Sequence, residues 1–389
     1  MLIFVIPSSY PNGINTQSNI FVLEQCKALA KIGHKIVVLD STTYNYKNWH
    51  NSSCSTIQKT QNNFSIIYSL HVRGLFKDRL PRLAVYSYYK KIKSLYNLAE
   101  KENGKPDILY AHFTFPSGYI AYRLSKKKKI PYVVDEHYSI LLQKELHPYI
   151  NKILRLTVEN ANEFICVSEI LRLAVQRHTK TNKSIRVIPN LIDDRFLYYP
   201  PPGKNVFKFF SAGNLIRNKR FDLLIEAFCK AFTSGENVAL CIAGAGKEYE
   251  KLDQIIRKEK RQHQIKLLGR LCREEMLEQY KSCHCFAMPS IYETFGIVYR
   301  EAMAVGRPII SAKNGGIEEC WEDAFGILTE INDVNGFAEA IQHVYSNYGQ
   351  FNTEYISKRC IQFYSSDSVS EQINKVLLKA IHYTQNNKF

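Results

Sequence analysis

The feature that most narrows the folds open to this chain is an alternation of short apolar runs with amphipathic stretches. "LIFVIP", "HKIVVLD", "FSIIYSL", "DILYAHF", "PYVVDEH", "EFICVS" and "SIRVIPN" are strand-length runs, and helical segments separate most of them. A strand apolar along its whole length must be covered on both faces. A parallel sheet with crossover helices provides that cover. Residues 19–32 read as one such helix, with Ala28, Leu29 and Ile32 among its apolar positions and Gly33 as its stop.

The alternation breaks at "NLIDDRFLYYPPPGKN", residues 190–205, where three prolines and a glycine end all periodicity. It then restarts. "FKFFSAGNL", "VALCIAG", "IKLLGR", "CFAMPS" and "RPIISA" read as strands, and "FDLLIEAFCKAF" as a helix with Leu224, Phe228 and Ala231 on one face. The expected class is α/β, with two doubly wound, Rossmann-like domains facing a central cleft. Residues 1–200 form the first, acceptor-binding domain, 201–370 the second, and 371–389 a C-terminal helix crossing back to the first. A chain of 389 residues has length for a sizeable core in each. Ligands of doubly wound sheets bind outside the carboxyl ends of the strands. The residues to watch therefore follow strands: the Gly13 loop, His112, His137, "GNLIRNKR", "GAGKE", "PSIYETFG" and "NGGIEE".

Composition removes several classes. The net charge of +16, from 52 Lys+Arg against 36 Asp+Glu, favours acidic partners. No zinc-finger spacing, RNP-type aromatic motif or isolated recognition helix supports a nucleic-acid partner. The cysteines sit inside apolar runs such as "FICVS" and "ALCIAG" and read as buried thiols of a reducing, cytoplasmic setting. "SCHCF" (Cys283, His284, Cys285) reads as a strand start and not as a metal site, because no second cluster answers it. "SKKKK" at 125–129 reads as a solvated helix end. The N-terminal apolar run is a first strand and not a signal peptide, and no run has the length to cross a bilayer.

Two stretches carry chemistry. In "SAGNLIRNKRFDLLIEAF" the strand ends at Gly213, and a polar loop brings Arg217, Lys219 and Arg220 to the next helix, a placement that suits a phosphate or diphosphate. In "PSIYETFGIVYREAMAVGRP" a helix begins near Gly296 and stops at Gly306. The N–H groups of Phe295, Gly296 and Ile297 would hold phosphate oxygens, and Gly296 allows close approach. Glu293 precedes the helix and Glu301 lies more than a turn inside it. The two carboxylates can therefore accept from hydroxyls on either side of a bound phosphate. A nucleotide-sugar, anionic in the middle and hydroxylated at both ends, fits that spacing.

The chain resembles the family 4 (group 1) glycosyltransferases of GT-B fold over almost its whole length. The resemblance rests on the E-x7-E motif in "PSIYETFGIVYREAMAVGRPIISAKNGGIEE". Supporting pieces are "AGNLIRNKRFDLLIEAF", "VIPNLID", "LYAHFTFPSG", "VVDEHYS" and "SNIFVLEQCKALAKIGHKIVVL". It implies retaining transfer from a nucleoside-diphosphate sugar, with neither metal nor cofactor. It places Glu293 on sugar hydroxyls, Glu301 on the ribose, Lys219 and the amides of Phe295 and Gly296 on the diphosphate, and His137 beside the donor sugar. Gly13 and His112 belong to the acceptor side. The chain departs from the pattern where the usual Arg beside Gly213 is Asn214, so that Arg217 or Arg220 stands in. Arg220 and Leu191 replace two usual glycines.

For the acceptor, residues 79–100 read as a helix with Val85, Tyr88, Ile92, Leu95 and Ala99 on one stripe and Lys90, Lys91 and Lys93 off its centre. The helix is either core-packed with a basic outer face or a surface for anionic lipid. The preferred partner is a glycan or lipid-linked glycan at the inner membrane face, as in capsule, exopolysaccharide or lipopolysaccharide assembly. The alternatives are a nucleotide-sugar epimerase of the same fold and a non-catalytic nucleotide- or glycan-binding relative.

Overall fold

The computed structural model describes residues 1–11, 19–41, 43–44, 57–70, 72–73, 81–203 and 205–386. The chain divides into two compact units, Met1–Leu191 with Ser366–Phe389, and Ile192–Ser365. The divisions thus fall ahead of the expected 200/201 and 370/371. The reason is packing. Leu191 joins the core of the first unit. Ile192 already donates its N–H to the Tyr364 carbonyl at 2.9 Å, and the buried Phe196 ring meets Tyr280 at 5.7 Å. The first half of the proline-rich stretch is therefore folded onto the second unit.

The strands of the first unit are β1 (Leu2–Ile6), β2 (Lys35–Asp40), β3 (Thr43–Tyr44), β4 (Gln58–Gln61), β5 (Ser65–Ser69), β6 (Val72–Arg73), β7 (Ile108–His112), β8 (Tyr132–Glu136), β9 (Glu163–Cys166) and β10 (Arg186–Val187). The main sheet runs β10-β9-β8-β7-β1-β2-β5-β4, and β3 pairs with β6 separately. In the main sheet only the β4–β5 ladder is antiparallel. The first helix spans Ile20–Lys31. Gly33 (φ 93°) ends the turn after it, which leaves Ile32 37 % exposed instead of on the apolar face. The last helix, Ser366–Asn386, lays Val369, Ile373, Val376, Leu377 and Ala380 into the same core as Val22 and Leu29 of the first. Each fully buried Val, Ile or Leu there contributes about 1.5–3 kcal/mol. Ion pairs Lys31–Asp367 (2.8 Å) and Lys379–Glu163 (2.6 Å) border that contact.

The second unit holds β11 (Phe207–Ala212), β12 (Val238–Ala243), β13 (Ile265–Gly269), β14 (Cys285–Met288), β15 (Ile309–Ala312) and β16 (Gly326–Thr329). Its order is β13-β12-β11-β14-β15-β16, with every pairing parallel. The chain winds outward from β11 in one direction and then from β14 in the other. The loops after β11 and β14 therefore diverge to opposite faces and leave a crevice at the switch point, where such sheets bind ligands. In the first unit the switch lies between β1 and β7. His284 accepts from the Lys208 N–H at 3.1 Å and stacks on Phe207 at 4.4 Å, so "SCHCF" is packed as a strand start. The nine cysteines of the described residues are free thiols.

Candidate functional site

The switch point of the second unit gathers the residues the sequence singled out. After β11, Gly213 leads into a short turn at Arg217–Lys219. Asn218 ties that turn to the loop after β14. Its carbonyl accepts from the Ile291 N–H at 2.9 Å, and its amide donates to the Tyr292 carbonyl at 3.0 Å. This clamp brings the Lys219 ammonium onto Glu293 Oε1, with the two side chains 17 % and 11 % exposed. Arg220 sits at φ 51°, in the left-handed region, which accounts for glycine being usual there. Its guanidinium is engaged by Asp222 Oδ1 (3.1 Å) and Asn332. Of the two arginines expected to replace the missing cation, Arg217 is the exposed one; Asn214 is exposed as well.

The helix after β14 spans Ile297–Ala304, with Gly296 before it at φ 77°. A Cβ at Gly296 would lie 2.5 Å from Tyr299 Cδ2. Tyr299 cannot yield easily. Its hydroxyl donates to the Met288 carbonyl (2.8 Å) and accepts from Asn314 (3.0 Å) and Ser311 (3.0 Å). The Asn314 carbonyl in turn accepts the Glu293 N–H at 3.0 Å. The Phe295 ring is buried, and an α-helix leaves its first N–H groups without internal partners, here those ahead of Tyr299, whose N–H already meets the Gly296 carbonyl at 3.1 Å.

Glu301 is 1 % exposed. Arg273 Nη1 donates to its Oε1 at 2.6 Å, and the Tyr280 hydroxyl lies 3.0 Å from its Oε2. Neither partner was read from the sequence. Arg273 lies in "GRLCREE", four residues past β13, and only its place after a strand could have marked it.

In the first unit, His112 ends β7 and His137 follows β8. His112 Nδ1 and His137 Nε2 are 3.2 Å apart, and the rings stack at 5.5 Å. Asp135 lies beside both, its Oδ2 3.5 Å from His137 Nε2 and 4.0 Å from His112 Nδ1. That oxygen also accepts from the Tyr110 hydroxyl (2.8 Å) and Gln25 Nε2 (3.0 Å). Glu136 accepts the N–H groups of Thr114, His137 and Tyr138, each at 2.8 Å, and so holds both strand ends. Phe21 and Phe113 close over His137 at 4.3 and 5.2 Å. Burial pushes Asp135 up to about 7 and His112 down to about 3. Burial and the neighbouring His112 lower His137. His112 is fully buried against His137, and His137 is 7 % exposed. The three donor atoms lie within 4.8 Å of one another, a spacing that could also hold a metal ion. The lone pairs of Asp135 Oδ2 are already met by Tyr110 and Gln25. Gly13 lies outside the described residues.

With this geometry in place, sequence comparison decides the family. The pattern of Glycosyl transferases group 1 matches residues 200–359, and that of Glycosyltransferase Family 4 matches residues 18–196. The chain is a group 1, family 4 glycosyltransferase. One component of the phosphatidylinositol N-acetylglucosaminyltransferase of Arabidopsis thaliana is 22 % identical over 379 residues, 96 % of this chain and 80 % of that one. Sucrose-phosphate synthase from Thermosynechococcus elongatus superposes with a TM-score of 0.78 at 16 % identity, over 98 % of this chain and 100 % of that one. The Anabaena protein HepE in complex with UDP-glucose gives 0.71 at 18 % identity, over 97 % and 99 %. The two structures establish the GT-B fold of this glycosyltransferase.

Proposed function

We propose that this glycosyltransferase moves a sugar from a nucleoside-diphosphate sugar to a lipid-linked glycan in surface-polysaccharide assembly. The transfer retains configuration and uses neither metal nor cofactor. The observation that carries the reading is the Lys219–Glu293 pair beside the Gly296 helix start, all at one switch point. The HepE complex with UDP-glucose supports such a donor. As the sugar–phosphate bond breaks, negative charge grows on the diphosphate. The Lys219 ammonium, the exposed Arg217 and the N–H groups of Phe295, Gly296 and Ile297 are preorganised to meet it, and they stabilise it most in the transition state. Glu293 takes sugar hydroxyls and Glu301 the ribose. In the first unit, His137 is the polar group that the family resemblance assigns to the transferred sugar, and His112 and Asp135 hold its ring. The leaving phosphate takes the acceptor proton, so the retaining outcome needs no protein nucleophile. It rests on family resemblance.

The helix Pro81–Asn103 supports the lipid side. Its stripe of Val85, Tyr88, Ile92, Leu95 and Ala99 is buried core, which leaves a different face for a partner. Arg82, Leu83, Tyr86 and Lys90 are exposed, with the Lys90 ammonium 4.7 Å from the Tyr86 ring. Arg123 covers Tyr89 at 4.2 Å. Such aromatic-basic surfaces sit on anionic lipid, and a relative is named for a phosphatidylinositol substrate. Among the described residues no helix is long and apolar enough to cross a membrane. The test is incubation of the protein with labelled UDP-, GDP- and ADP-sugars and a membrane-lipid extract, with and without chelator. Label in the lipid fraction despite chelator supports the proposal. Conversion of free nucleotide-sugar without acceptor would make the protein an epimerase. Loss of transfer with chelator, restored by a divalent ion, would make the His112–Asp135–His137 set a metal site.

A further inference from the structure

Asp193, the acid of "VIPNLID", is 5 % exposed. Arg195 holds it from both sides, Nε at 3.0 and 3.1 Å and Nη2 at 2.6 Å, while reaching Glu274 with Nη1. Asp193 Oδ2 also lies 3.6 Å from Arg273 Nη2, and Arg273 Nη1 grips Glu301 Oε1 at 2.6 Å. The Arg273 guanidinium lies 4.5 Å from the Phe196 ring centre, and Phe196 packs edge-on against Tyr280. A chain of alternating charge therefore runs Glu274, Arg195, Asp193, Arg273, Glu301, and ends on the Tyr280 hydroxyl. Every member belongs to the second unit.

The arrangement prevents the Glu301 carboxylate from turning. Arg273 occupies one lone pair of Oε1, and the Tyr280 hydroxyl, whose one proton is shared between Oε2 at 3.0 Å and the Val298 carbonyl at 3.1 Å, engages one of Oε2. An ionised carboxylate has about four acceptor sites, so one remains on each oxygen, side by side. Two fixed adjacent acceptors match two adjacent hydroxyls. Without Arg273 the carboxylate would be a buried charge free to rotate or to seek another donor, and the pair of acceptors would lose its orientation.

We propose that Asp193 and Arg273 are positioning residues that orient Glu301 toward the vicinal hydroxyls of a ribose, and so set preference for ribonucleotides over their deoxy counterparts. The inference rests on the reading of Glu301 as the ribose acceptor. A merely structural ion network would affect all nucleotides alike.

The experiment titrates the full chain with UDP, GDP and ADP, then compares the tightest binder with its 2′,3′-dideoxy counterpart. Wild type should prefer the ribonucleotide by about 10- to 100-fold, the range for hydrogen bonds to a charged group. Arg273→Gln should weaken the ribonucleotide by about tenfold while the dideoxy form changes less than about twofold, so the preference collapses. Asp193→Asn should do the same in part, and Arg273→Lys should restore some preference. In steady state the donor KM should rise with kcat kept. Tyr280→Phe, which removes one hydroxyl, should also narrow the preference, and it tests the idea if Arg273 variants do not fold. Equal weakening of both nucleotides, or full preference retained in the variants, overturns the inference alone. A wild type indifferent to the two hydroxyls overturns the reading of Glu301, and the inference with it.

Discussion

Replacing Lys219 by Ala would separate what its ammonium does for the fold from what it does for the substrate. The side chain is 17 % exposed and its partner Glu293 is 11 % exposed. The pair thus lies between a surface ion pair, worth about 0–1 kcal/mol, and a buried one, where deleting one partner costs about 3–5 kcal/mol. We expect a loss of about 2 kcal/mol, which for a unit of this size lowers Tm by about 4–8 °C. Most of that loss is the penalty of a carboxylate left without its cation. Glu293→Gln in the Lys219→Ala background removes that charge, so the double variant should regain about 1–2 kcal/mol relative to the sum of the single changes. Transfer should not recover with it. Lys219 also meets charge on the diphosphate, and losing such a group costs about 2–4 kcal/mol of transition-state stabilisation. Thermal melts of the wild type, both single variants and the double variant close the cycle, with calorimetric titration of the nucleoside diphosphate alongside. Strictly additive stabilities would refute the pair as a coupled unit. Unchanged nucleotide affinity and rate in Lys219→Ala would refute its role on the phosphate.

Glu293→Gln should mainly lower kcat, because the sugar it faces changes geometry and charge during transfer. Glu301→Gln should mainly raise the donor KM, because the ribose does not change; steady-state kinetics with saturating acceptor would show a reversed pattern if the roles are exchanged. Gly296→Ala should cost about 2–4 kcal/mol, from left-handed backbone strain together with the contact on Tyr299, and denaturant unfolding measures it. The His112 cluster sets a pH dependence. Two imidazoles held neutral by burial contribute stability above their unfolded value near 6.5 that is lost as pH falls, at about 1.4 kcal/mol per pH unit each. Asp135, raised to about 7, works the other way: its native protonated form is favoured as pH falls below that value, which cancels about one of the two slopes. His112→Phe should therefore lose less stability than the wild type as pH falls from about 6 to 4, by about 1.4 kcal/mol per pH unit; equal pH slopes in the two proteins would contradict it.

Much of this protein can be read along the chain. Strands such as Ile108–His112 and Tyr132–Glu136 are apolar enough to declare themselves, because a parallel strand covered on both faces must be apolar throughout. Glu293, Gly296 and Glu301 are legible because one loop-and-helix segment carries them all, and helix geometry fixes their spacing. Other features depend on residues far apart in sequence. Lys219 and Glu293 are 74 positions apart, and Arg273 and Glu301 are 28 apart. The last helix joins the first unit, with Asn374 meeting His34 across 340 positions. A buried His112 and an exposed one are the same letter in a sequence. Which one this is depends on what Asp135, Tyr110 and His137 bring against it. The order of strands in the sheet sets that, and the strand order arises only when non-local contacts offset the entropy of closing the loops between them.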